Sequence, residues 1–290
     1  MRIEIEPGVR LFVDVEGAGL VADGARMREK PTLLLLHGGP GYDHSGFKPL
    51  FSRLADIAQI VYFDHRGHGR SDRRPAGEWT LDTFADDVVR LCDALGITKP
   101  IVLGQSFGGF VAQRLIARHP AHPGKVILSS TTHHMGLDRK LALFEKLGGP
   151  EARAAAEAFW TQPNAQTWAD YNRVCKRFYN TTPQDEDAGQ RTIFNTDILF
   201  ASAGGEQRTM NLLPGLARAR QPRHLTAALQ LDQGGNAADA EARGSARVVV
   251  AVHLDQQGLA LQGAGRLGEL RRHLLARPAP GCPEIDHPRK

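Results

Sequence analysis

The stretch Ile101-Val102-Leu103-Gly104-Gln105-Ser106-Phe107-Gly108-Gly109 decides how the rest of this chain is read. Its apolar start has the character of a strand buried on both faces, and Phe107 to Arg118 has helical spacing. Between them Gly104-Gln105-Ser106-Phe107-Gly108 fits G-x-S-x-G. As a bare pattern a glycine-rich turn matches it by accident; at a strand-to-helix junction it carries chemistry. A serine on so tight a turn has a strained backbone and needs glycine-sized neighbours, and the bend pushes its Oγ into the open at the helix N-terminus. Ser106 is therefore expected to be a catalytic nucleophile.

Outward from this junction the pattern repeats. Thr32 to Leu36, Gln59 to Phe63, Pro100 to Leu103 and Lys125 to Leu128 are short apolar runs. Phe47 to Ala55, Leu81 to Leu95 and Phe107 to Arg118 are helically spaced, the second opened by Thr80 as a cap. Strand alternating with helix implies right-handed crossovers and a mostly parallel sheet. Arg2 to Glu6 and Arg10 to Val15 alternate around Pro7-Gly8 and predict an antiparallel hairpin before it. From His133 to about Leu213 the strand signal gives way to helical segments, among them Leu137 to Leu147 and Glu151 to Trp160, enriched in Trp160, Trp168, Phe178 and Tyr179. The expected organisation is α/β: a first part of the core over 1–132, a helical cap over 133–213 and a C-terminal part over 214–290. In that last part His224 to Leu231 and Arg247 to His253 have strand character, and Gly265 to Leu275 that of a closing helix.

Two loops follow strands and carry polar residues. In His37-Gly38-Gly39-Pro40-Gly41 the glycines and proline leave backbone N–H groups uncovered, which suits a loop that approaches a developing oxyanion. Gly39 and Phe107 N–H are the expected donors, and His37 reads as a loop histidine rather than a base. Asp64-His65-Arg66-Gly67-His68-Gly69-Arg70-Ser71-Asp72 offers two histidines but no third ligand, so a metal site is not expected. Its arginines are expected to pair with Asp64 and Asp72, making it a rigid loop at the edge of the site.

Composition narrows the remaining classes. The 290 residues are 41% hydrophobic and 23% charged, enough for a full core without disulfide staples and unlike a disordered chain. No apolar run approaches a bilayer span, and the charged Met1 to Arg10 lacks the apolar centre of a secretion signal. Cys92, Cys175 and Cys282 form neither a disulfide framework nor a CxxC pair. A reducing, cytoplasmic setting is expected, with no membrane partner. Of 36 basic and 32 acidic side chains, 24 of each lie in residues 1–200, so the net +4 comes from the last 90 positions. That excess is scattered arginine with no aromatic beside it, which argues against nucleic acid. All 19 Phe, Tyr and Trp residues lie at or before Phe200, and no lysine occurs between Lys176 and Lys290. Either this is a natural tail of unusual composition or part of it is translated out of its ancestral frame.

HGGPG at 37–41, DHRGHGRSD at 64–72 and GQSFGG at 104–109, in this order and spacing, resemble the α/β-hydrolase superfamily and its proline iminopeptidase branch. The resemblance covers residues 1 to about 130, and the helical insertion is similar in position and size to that family's cap. It implies an α/β-hydrolase fold and a serine hydrolase acting through an acyl-enzyme on small amides or esters. Peptides with N-terminal proline lead, and esterase or lactonase activity is the alternative. It implies no cofactor and no metal, and a small-molecule or short-peptide substrate in contact with His37, Gly38, Gln105 and Trp160. An iminopeptidase holds a cationic amine, for which Glu145, Glu157 and Glu206 are the cap candidates. Many iminopeptidases carry tryptophan where this chain has Phe107. The family's Gly-x-x-Asp turn and Gly-His pair are also absent as such. Counting from Ala217-Arg218-Ala219-Arg220, Asp232 falls where the acid belongs and His253 where the base belongs. Asp255 with His273 or His287 is the alternative pair. Without them the chain is a catalytically impaired α/β-hydrolase fold, its nucleophile face intact and its C-terminal part disrupted.

Overall fold

The computed structural model describes residues 1–179 and 186–218. Its frame is a six-stranded sheet. Strands β1 (Arg2–Glu6) and β2 (Val9–Glu16) form the expected hairpin, and β3 (Leu20–Asp23) and β4 (Arg26–Glu29) a separate exposed ribbon. The sheet continues with β5 (Thr32–Leu36), β6 (Gln59–Phe63), β7 (Ile101–Gln105) and β8 (Lys125–Ser129) in the order β1-β2-β6-β5-β7-β8. β2 joins β6 antiparallel, and the remaining pairs among β5 to β8 are parallel. This is an α/β-hydrolase fold.

The apolar runs pack on both faces because their side chains alternate between two cores. Leu34, Leu36, Val61, Phe63, Val102 and Val126 face helices α1 (Leu81–Leu95) and α2 (Phe107–Arg118). Leu33, Leu35, Ile60, Tyr62, Ile101 and Leu103 face Phe47, Phe51 and Leu54. Thr80 caps α1 by accepting from the Thr83 N–H, and Gly96 ends it in a left-handed conformation.

The helix expected over Phe47 to Ala55 does not form. Two 3-10 turns, His44–Phe47 and Phe51–Leu54, stand there instead. Pro49 lacks an amide proton and holds Lys48 extended at φ −94°, ψ 146°, so helical geometry cannot run through the pair.

After β8 the chain is helical, with α3 (Leu137–Thr161), α4 (Ala165–Cys175), α5 (Glu186–Arg191), α6 (Thr196–Gly204), α7 (Glu206–Thr209) and α8 (Leu213–Arg218). The two helical segments expected between Leu137 and Trp160 abut at Gly149, whose φ of 72° breaks the ladder before Pro150. This part builds its own core from Leu141, Phe144, Phe159, Tyr171, Val174 and Leu199. Its ends meet: Met135 N–H donates to the Met210 carbonyl at 3.2 Å and Leu212 N–H to the His133 carbonyl at 2.7 Å. The predicted elements at 224–231, 247–253 and 265–275 lie outside the described residues.

One buried ion pair ties the loop after β6 to α1. Arg66 Nε donates to Asp87 Oδ2 at 2.9 Å and Nη2 to Asp87 Oδ1 at 2.7 Å, with Glu78 and Glu6 on its remaining edge. The expected pairing of the loop's arginines with Asp64 and Asp72 is therefore corrected. Asp72 takes Arg2 and Arg10, and the Arg70 guanidinium takes Asp43. Removing one member of a buried, hydrogen-bonded pair leaves the other under-compensated, here Asp87 with only the half-exposed Arg90 at 3.0 Å, at about 3 kcal/mol. Arg66→Met is expected to lower unfolding stability by about that amount in urea titration, whereas Arg2→Ala, at an exposed pair, changes it by less than about 1 kcal/mol. Equal effects would contradict this assignment.

Candidate active site

Ser106 stands between β7 and α2 with φ 50°, ψ −112°, one of three non-glycine residues with positive φ among those described. Close approach on every side holds it there. A Cβ at Gly108 would collide with the Leu36 carbonyl, and one at Gly104 would lie 2.7 Å from the Gly108 carbonyl carbon. The turn is tied at both ends: Ser106 N–H donates to the Ser129 carbonyl at 2.9 Å, and Thr131 Oγ1 donates to the Ser106 carbonyl at 2.8 Å. Ser106 is half-buried, and its side chain makes no capping bond to the helix it opens.

The parallel register Leu36↔Gly104 sets the glycine loop after β5 beside this turn. The position of a Cβ on Gly38 lies 3.5 Å from the Ser106 Cβ and 3.7 Å from Gln105 Oε1. Gly39 has φ 140°, open to glycine and strained for other residues. Several elements hold the loop. The Gly41 carbonyl accepts from Asn195 N–H at 2.8 Å, Asp43 Oδ2 accepts from Ile193 N–H at 3.0 Å, and His44 Nδ1 donates to Asp64 Oδ1 at 2.7 Å.

His37, expected to touch substrate, sits beneath the glycine loop. It is 2% exposed, its Nδ1 donates to the Gly38 carbonyl at 2.8 Å and its Nε2 accepts from the His65 N–H at 3.1 Å. Its ring supports the loop from beneath. There it meets His65 and His68 at 4.5 and 5.2 Å, and both pack on Phe107 at 5.8 Å. Burial lowers the pKa of all three rings, that of His68 to about 3. Trp160 is half-buried and packs against the core of the helical segment, 5.2 Å from Phe159.

The cap glutamates have other partners or none. Glu206 accepts from Arg114 at 2.9 Å and from the Leu81 N–H at 2.8 Å, Glu145 pairs with Arg153 on the surface, and Glu157 is exposed. None is held ready for a buried amine. Asp232, His253, Asp255, His273 and His287 lie outside the described residues. Among the described residues no group of three metal-ligating side chains occurs, and no helix is long and apolar enough to cross a membrane. Thr131, Tyr42 and Asn195 were not singled out in the sequence. Only Asn195 carries a local signal there, an asparagine cap before α6 whose side chain accepts from Asp197 N–H.

This junction can present a hydroxyl beside backbone donors, the arrangement acyl transfer uses. The alpha/beta hydrolase fold family matches residues 31–191. A proline iminopeptidase, PfmaB, of Pestalotiopsis fici is 36% identical over 128 residues, 42% of this chain and 45% of that protein. A putative carbamate hydrolase, RutD, of Caulobacter segnis is 37% identical over 97 residues, 33% of this chain and 36% of its own. The match thus spans less than half the length of either relative. The crystal structure of a Mycobacterium smegmatis proline iminopeptidase superposes with TM-score 0.66 at 19% identity, covering 94% of this chain and 97% of that one, a likeness of fold.

The buried histidines predict a pH response. They are neutral in the fold, while in the unfolded chain they take up protons near their ordinary 6.5, so stability is full above that value and is lost as pH falls below it. Unfolding free energy is expected to drop between about pH 6.5 and 5, by up to about 1.4 kcal/mol per pH unit for each ring kept neutral. A flat profile in that window would contradict the burial.

Proposed function

From the premise that this chain belongs to the alpha/beta hydrolase fold family, we propose that it is a serine hydrolase cleaving small amides or esters through an acyl-enzyme. The observation that carries this reading is the left-handed Ser106 junction, packed against the Gly38 loop with its side chain uncommitted to the helix. Ser106 Oγ adds to the substrate carbonyl carbon and gives its proton to a base. Gly39 and Phe107 N–H bind the resulting oxyanion. The amine or alcohol leaves with that proton, and water releases the acyl group by the same route. Asp232 and His253 are the proposed acid and base, with residues 133–213 as the cap over the site.

Release of N-terminal proline is the leading peptide reading, supported by the iminopeptidase relative. An esterase or neutral-amide reading has a specific observation in its favour, since Glu145, Glu157 and Glu206 are turned to solvent or already paired.

A fluorophosphonate probe on the purified chain is expected to label Ser106, and Ser106→Ala to abolish labelling and lower p-nitrophenyl acetate hydrolysis at least about a thousandfold. A folded wild-type protein that resists the probe overturns the reading. Proline p-nitroanilide compared with p-nitrophenyl acetate separates peptidase from esterase.

A further inference from the structure

One carboxylate in the glycine loop binds in two directions. Asp43 lies four residues past Gly39, and its side chain is fully buried. Its Oδ1 accepts from the Ser45 N–H at 3.0 Å and from Ser45 Oγ at 2.5 Å, capping the short turn His44–Phe47. A cap needs only that one oxygen. The other oxygen reaches out of the loop. Oδ2 accepts from Arg70 Nη1 at 2.8 Å and from the Ile193 N–H at 3.0 Å, 150 residues away in the helical segment.

The stretch 192–195 that supplies this N–H lies directly on the loop. Asn195 N–H donates to the Gly41 carbonyl at 2.8 Å, Thr192 Oγ1 and Ser45 Oγ stand 3.2 Å apart, and Phe194 meets the Tyr42 ring at 4.6 Å. Gly41, at φ 94°, has no room for a Cβ, which would lie 2.5 Å from the Asn195 carbonyl oxygen. From there the contacts continue to the serine. A Cβ on Gly39 would lie 2.9 Å from the Gly41 nitrogen and 3.2 Å from that of Tyr42, so Gly39 rests on the residues that are held. Gly38, next to it, packs on the nucleophile, its Cβ position 3.5 Å from the Ser106 Cβ. An amide proton serves an oxyanion best when its direction is fixed before charge develops. Two consecutive glycines leave that direction to whatever grips the chain on either side. Upstream the grip is the buried His37 ring; downstream it is the stretch Gly41 to Ser45, where Asp43 joins the glycine loop to the β6 loop and the helical segment at once.

We propose that Asp43 is a positioning residue for the oxyanion hole. By binding the Ile193 N–H, its carboxylate aims the Gly39 N–H at the substrate carbonyl oxygen, and acyl transfer reaches full rate only with residues 192–195 lying on the loop. This role rests on the serine-hydrolase reading. A carboxylate that merely capped its turn would stabilise the fold and leave the direction of the donor alone.

Comparing an ester with its thionoester on the full chain reads the aim of the donor. Sulfur bearing the negative charge accepts a hydrogen bond more weakly than oxygen does, whereas a loss of folded protein lowers both rates alike. With p-nitrophenyl acetate and its thionoacetate analogue, Asp43→Ala is expected to lower kcat/KM for the ester at least about tenfold and for the thionoester less than about threefold. Asp43→Asn keeps one acceptor oxygen and is expected to hold the ester-to-thionoester ratio between those of wild type and Asp43→Ala. An equal fall for both substrates in the folded variants, or no fall, overturns the proposal. Should Asp43→Ala not fold, Asp43→Asn decides alone, and an unmoved ratio overturns it. A wild type labelled by the fluorophosphonate, with the ratio unmoved in the variants, removes the positioning role and keeps the hydrolase. A wild type that resists the probe removes the hydrolase and this role with it.

Discussion

The whole arrangement depends on how closely the first turn of α2 approaches the ends of β5 and β7. No side chain fits at Gly108 against the Leu36 carbonyl, nor at Gly104 against the Gly108 backbone. That contact brings the helix down onto the sheet and leaves Ser106 no way through but a left-handed turn. The strain is borne by groups on three sides: Ser129 and Thr131 from β8 and its exit, Gly109 from the helix, and the β5 loop at Gly38. A residue kept in so sparsely populated a conformation is where function is expected to reside.

Around that junction the polar loops act as scaffolding. The segment after β6 presents its histidines to one another and to Phe107. It offers a backbone N–H to His37 and locks its arginine into α1. The glycine loop is therefore held from beneath by buried side chains. From the other side the α6 cap joins in, because Asn195 bonds both the Gly41 carbonyl and, through Nδ2, the Gly67 carbonyl at 3.1 Å. The helical segment is thus coupled to both loops at one residue.

The parts legible in the sequence were those set by local pattern. Strands β5 and β6 and helices α1 and α2 end where their apolar runs and caps end, since burial on both faces and the Thr80 cap are short-range signals. The 3-10 turns around Pro49 were misread because apolar spacing alone does not register what a proline forbids two residues into a helix. The ribbon of β3 and β4 has no readable pattern because it is four residues long on each side, almost wholly exposed, and its second strand is largely charged. Partners distant in sequence had no local signature. Arg66 finds Asp87 on α1, and Lys140 finds Trp160 twenty residues on, a pairing that only the kink at Gly149 and the packing of α3 bring about. Of the candidate site, the serine and its glycine loop were readable from motif spacing, and the Thr131 and Asn195 bonds that hold them were not.

The most direct test of the central claim is a crystal structure of the protein with a phosphonate bound covalently to Ser106. The phosphoryl oxygen is expected about 2.7 to 3.1 Å from both the Gly39 and the Phe107 backbone nitrogens, with the serine still at positive φ. An oxygen turned to solvent, or a Ser106 relaxed into ordinary helical geometry, would contradict the account.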